Sequence, residues 1–115
     1  MIVSRFADID VNKYYPRPNL IKLDGRYRGS DHFRWMVDCG ANRLAFLKIR
    51  EWCIQAWGFA EELEHWEYLH YHNDGEFRHL ANPHWAWYFN TDYAVKSKIY
   101  IRDDDELAWY KLKWI

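Results

Sequence analysis

The most specific chemistry this sequence suggests is carried by His70, His72 and His79, which flank an Asn73-Asp74-Gly75 turn signal. A two-residue loop at Asp74-Gly75 would set His70 opposite His79 and His72 opposite Phe77, bringing the three imidazoles to one sheet face. Three such ligands, with water in the fourth position, can hold zinc. The arrangement requires 66–72 to be a strand. Phe59, Leu63, Trp66 and His70 fall equally well on one helical stripe, and a helix there removes the register. A chain with six histidines also produces a His-x-His by chance, so ordinary surface or half-buried histidines are preferred to a metal site.

Other routes to catalysis find no support. There is no GxSxG, GxxxxGK[ST] or HExxH. Cys53 falls on the apolar side of a predicted helix, and Cys39 and Cys53 lack metal-ligand spacing, so both read as buried thiols in a reducing compartment. Glu61, Glu62, Glu64 and Glu67 read as a solvated helix face. The expectation is a non-enzymatic protein with no cofactor.

Binding has more to work with. Lys96, Lys98, Tyr100 and Arg102 share one face of a predicted strand whose neighbour carries Trp85, Trp87 and Phe89, so cations and stacking rings could serve nucleic acid or a nucleotide. Protein binding is favoured over it. Aromatic residues make 20% of the chain, eight of them Trp, and interface energy concentrates in such side chains. Tyr14, Tyr15, Tyr68, Tyr71, Trp85 and Trp87 are the candidate anchors, several of them beside turns rather than on a clear buried stripe. For any one of them, core packing competes with exposure.

The elements that must position these residues follow from periodicity. A helix is predicted over 42–57, with Leu44, Leu47, Cys53/Ile54 and Trp57 near helical spacing, Phe46 and Ile49 broadening the stripe, Asn42 as cap and Gly58 as stop. Residues 20–23, Asp24-Gly25 and 26–28 read as a hairpin, and 32–38 as a strand in which Phe33, Trp35 and Val37 alternate with Arg34, Met36 and Asp38. Residues 84–89 form an aromatic strand, apolar on both sides as a central strand would be, followed by a second strand over 95–102. Residues 59–72 suit a short helix near 60–69 and a strand over 66–72 that returns over 76–80 about equally, with a helix giving way to a strand as the compromise. The tail opens on Asp103, Asp104 and Asp105, which suit a helix start, with Leu107, Tyr110 and Trp114 on one side; its last five residues also alternate as a strand would. The fold class is α+β: a small, mainly antiparallel sheet packed on one principal helix, in a single domain over 1–115.

The totals agree. A chain of 115 residues with half its residues apolar and 29% charged can bury a core unaided. A net charge of −1 argues against a general polyanion-binding field. No apolar stretch approaches bilayer length, and Arg5, Asp8 and Asp10 interrupt the start where a signal peptide would be apolar, so a cytoplasmic protein, monomeric or homodimeric, is expected without membrane contact.

Two stretches carry a resemblance: Arg50-Glu51-Trp52-Cys53 through Gly58, and Lys98-Ile-Tyr-Ile-Arg-Asp-Asp-Asp-Glu-Leu-Ala-Trp-Tyr-Lys-Leu-Lys-Trp114. The second is similar to the C-terminal segments of small uncharacterised accessory proteins of tailed bacteriophages, where a strand leads into acidic residues and an aromatic-rich ending. The likeness covers about a third of the chain and brings no catalytic residue. It implies a short cytosolic protein that binds and blocks a host or defence protein.

Overall fold

The alternation of a β-strand decides where each side chain of the sheet goes, and here both faces are apolar. The computed structural model describes residues 18–71, 82–92 and 94–114. Strands β1 (Asn19–Lys22), β2 (Trp35–Asp38), β3 (Trp85–Asn90) and β4 (Lys96–Ile101) form an antiparallel sheet in the order β1-β2-β4-β3. Helix α1 (Arg43–Trp57) and helix α2 (Leu63–Tyr71) lie in the connection from β2 to β3, and α3 (Asp104–Trp114) follows β4. The chain is thus α+β with a principal helix over the predicted residues, a second short helix and a C-terminal helix.

The register fixes two cores. Leu20, Val37, Ile99 and Trp87 line up across one face, where Phe46, Ile49 and Cys53 of α1 and Leu107 and Tyr110 of α3 cover them. Ile21, Met36, Tyr100 and Ala86 line up across the other, beneath Leu63 and Trp66 of α2 and Leu23 and Phe33 of the β1–β2 loop. Strand β2 is therefore buried through Met36 as well as Val37, so its two-residue alternation separates two cores rather than inside from outside.

Helix α1 begins and ends as its caps dictate: Asn42 Oδ1 accepts from the Ala45 N–H at 3.1 Å, and Gly58, at φ 91°, donates to Ile54 O at 2.8 Å. Its buried line runs Ala45, Phe46, Ile49, Cys53, while Leu47 and Ile54 flank it beside a shallow groove with Arg50. At α2, Glu62 takes the N–H groups of Glu64 and His65 at 2.9 and 3.0 Å, and the segment continues as helix through Tyr71 in place of the strand alternative. At α3, Asp103 Oδ1 accepts from Asp105 N–H at 3.1 Å and the helix runs to Trp114, so the strand reading of the tail does not hold.

Two expectations are corrected. The predicted hairpin partner 26–28 is not a strand; β1 pairs instead with β2, Leu20 opposite Val37. Asp24 turns the chain by accepting the Arg26 N–H at 2.9 Å and the Arg26 guanidinium at 2.8 Å, and Tyr27 N–H closes on Asp24 O at 3.0 Å. The positive φ falls at Gly29, at 88°, where a Cβ would sit 3.0 Å from Leu63 Cδ2. Strand β3 lies at the sheet edge rather than the centre, which β4 shares with β2. Its outer edge is covered by the α1–α2 connector: Glu62 bridges to Trp87, Trp85 Nε1 donates to Gly58 O at 2.8 Å, and Trp87 Nε1 donates to Ala60 O at 2.9 Å.

Candidate protein-interaction surface

Each predicted anchor that the structure describes has a definite fate. Trp85 is fully buried in the α1-side core, so it is a packing residue and not a contact for a partner. Trp87 is half-buried, its indole N–H held by the connector and its face covered by the Arg50 guanidinium at 4.4 Å. Tyr68, on the outer side of α2, is 60% exposed. Tyr14 and Tyr15 lie outside the described residues, as does the side chain of Tyr71.

Around Tyr68 the surface is ordered by charge. Arg28 of the β1–β2 loop reaches Glu67 at 3.4 Å and Glu64 at 3.6 Å, so the loop bearing Tyr27 is held against α2. Burial raises the Glu67 carboxyl above its usual range, with Arg28 working in the opposite direction. Phe59, just beyond the Gly58 stop, is 83% exposed. An exposed phenol on α2 beside its ion pairs, and an exposed phenyl ring in the connector before that helix, are groups a protein partner can remove from solvent at small entropic cost.

The basic and aromatic sheet face predicted for nucleic acid is not assembled. Lys96 and Lys98 stand opposite Asn90 and Tyr88, whereas Trp85, Trp87 and Phe89 stand opposite Ile101, Ile99 and Ser97 on the other face. Cations and rings are separated by the pleat because the strand register sets Trp87 against Ile99 rather than against a lysine. Tyr100 is buried, and its phenol is raised by that burial. Arg102 leaves the strand to bind Glu106 at 2.8 Å. What remains is Lys98 Nζ 5.8 Å from the Tyr88 ring.

The histidine triad is not supported either. Tyr71 is still helical, so the hairpin register that would gather the imidazoles is lost at its first strand; His72, His79 and the side chain of His70 lie outside the described residues. Among the described residues no group of three or more metal-ligating side chains comes together. Cys39 and Cys53 are both buried in the α1-side core, and burial pushes the Cys39 thiol up to about 12 and Cys53 in the same direction.

Sequence reasoning missed two features. Glu106 is buried at the start of α3, its Oε1 2.9 Å from His84 Nδ1 and 2.8 Å from the Arg102 guanidinium. This holds an imidazole as an acid–base pair would. Among the described residues, however, no Ser, Thr or Cys side chain is hydrogen-bonded to His84, and the cluster joins the ends of β3 and β4 to α3. The second is Trp109 with Leu112, 64% and 82% exposed on the outer side of α3. The signal was available: with Leu107, Tyr110 and Trp114 inward, residues 105, 108, 109 and 112 must face out.

Among the described residues no helix is long and apolar enough to cross a membrane. Comparison of the chain with protein-family models, curated proteins and solved structures finds no match.

Proposed function

We propose that this chain is a non-enzymatic, phage-type accessory protein that binds and blocks a host or defence protein through aromatic side chains around α2. The observation that carries the reading is Tyr68, 60% exposed on α2 where Arg28 pairs with Glu64 and Glu67, with Phe59, 83% exposed, in the connector that leads into that helix. Such a surface combines apolar anchors with charges that set orientation, which is how compact protein contacts divide the work. The resemblance of the tail to phage accessory proteins supplies the cellular context. Nucleic-acid binding is the weaker reading, because Trp85, Trp87 and Phe89 lie on the opposite side of the sheet from Lys96 and Lys98.

The test is affinity capture from bacterial lysate with the native chain and with Phe59→Ala/Tyr68→Ala. One dominant partner retained by the native chain and lost by the double variant is expected, with both proteins giving the same circular dichroism. Capture that survives the double substitution, or no capture from any host, overturns the reading. A partner removed by nuclease treatment points to nucleic acid instead.

A further inference from the structure

The exposed side of α3 has a pattern that the proposed partner surface does not use. Residues four apart on a helix form ridges, and two adjacent ridges here face solvent: Asp105, Trp109, Lys113 and, beside them, Asp104, Ala108, Leu112. The first reads acidic, apolar, basic. A two-fold axis through Trp109 exchanges its two ends, so Asp105 of one copy meets Lys113 of the other on both sides of the axis. Four residues of helix place each charge about 6 Å from the axis. The ridge is its own electrostatic complement.

We propose that α3 is the contact helix of a symmetric antiparallel homodimer, in which Trp109 and Leu112 of two copies cover one another between reciprocal Asp105–Lys113 pairs. Asp104 is already engaged within its own chain, accepting from Trp35 Nε1 at 2.8 Å, whereas no described residue pairs with the Asp105 carboxylate. Ala108, exposed beside Trp109, is small enough to let the other copy's indole approach. Opposed helix axes also bring each negative C-terminal end beside the other copy's positive N-terminal end. An anionic membrane is a poorer occupant, because Asp104 and Asp105 belong to the face it would meet.

The size of the contact sets its strength. Trp109 and Leu112 together offer on the order of 300 Å² of accessible surface per copy, well below the ~800 Å² per partner of a standard interface. The dimer therefore belongs to the weak class.

Sedimentation equilibrium from about 5 µM to about 500 µM tests this on the intact chain. The native protein should shift from monomer to dimer across that range, and more weakly at high salt. Trp109→Ala should abolish the shift. Asp105→Lys and Lys113→Asp should each weaken association at least about tenfold, by setting like charges opposite one another. An equimolar mixture of the two charge variants should associate again. At one end of the mixed dimer the lysine introduced at position 105 meets the aspartate introduced at position 113, and at the other the native Asp105 and Lys113 meet. These side chains are exposed, so circular dichroism should match the native protein. A native chain monomeric throughout, a dimer indifferent to Trp109→Ala, or a mixture of folded charge variants that stays monomeric would each overturn the proposal.

Discussion

Strand β3 and the outer side of α3 both present Trp, and their indoles have opposite fates. On β3, each indole N–H finds a carbonyl of the α1–α2 connector, Gly58 for Trp85 and Ala60 for Trp87, so the rings can leave water without abandoning a donor. On α3, Trp109 occupies the side away from Leu107 and Tyr110 and stays in solvent. The difference lies in what surrounds each ring rather than in the residue. The Trp85 and Trp87 indoles are absorbed where irregular backbone receives their donors, whereas Trp109 lies on the side of α3 turned from the core.

The contrast breaks most visibly at Trp85. Trp85→Ala should cost about 3–5 kcal/mol in urea unfolding, from the cavity and the lost bond to Gly58, whereas Trp109→Ala should change stability by less than about 0.5 kcal/mol. Equal losses from the two would refute the assignment of one ring to the core and the other to the surface.

Asn82 tests the connector itself. Its Nδ2 donates to Trp57 O at 2.7 Å, with Phe59 O and Gly58 O at 3.2 and 3.3 Å, and its Oδ1 accepts from His84 N–H at 2.9 Å. Asn82→Leu should destabilise by about 1–3 kcal/mol by leaving buried backbone groups unpaired. Tryptophan emission should also shift to the red, as loosening of the connector admits water to Trp85 and Trp87.

Alkaline pH probes the α1-side core. The Cys39 thiol is raised by burial, and by the nearby Asp38 charge, from an ordinary 9.0 to about 12, and Cys53 is raised by burial. Between those values the unfolded chain releases protons that the native chain keeps, so stability falls as pH rises, at up to about 1.4 kcal/mol per unit for each group. Urea midpoints should decline from about pH 9 upward, and Cys39→Ala should flatten the decline. A thiol reagent at about pH 8 should label neither cysteine until the chain unfolds.

The smallest effect concerns a cap. Asn42→Ala should cost about 1 kcal/mol, readable as a shift in the unfolding midpoint without a change in slope.

Helix α1 was legible because three independent signals coincide there: a cap, an apolar stripe and a glycine stop. Its buried line was not, because Leu47 and Ile54 satisfy helical spacing as well as Phe46 and Cys53 do, and only the sheet decides which flank is inward. Residues 66–71 were ambiguous because Trp66 and Tyr68 suit either element, and the carboxylate of Glu62 at the helix start tips the balance. The 20–28 hairpin failed because Asp24-Gly25 signals a turn without specifying the next element, and the partner of β1 is supplied by tertiary pairing. The nucleic-acid face failed by register: the lysines and rings do lie on adjacent strands, but their phase relative to each other depends on the connecting turn. Trp109 was overlooked although its outward position follows from Leu107, Tyr110 and Trp114.

The placement of β4 between β2 and β3 has a kinetic meaning. As the polypeptide leaves the ribosome, Val37 must wait for Ile99, and until then β1 and β2 form only a two-stranded ribbon with one greasy margin open. Two-stranded ribbons are marginal alone in water. Closing the sheet therefore depends on contacts distant along the chain, the kind of topology that folds more slowly than one built from local contacts.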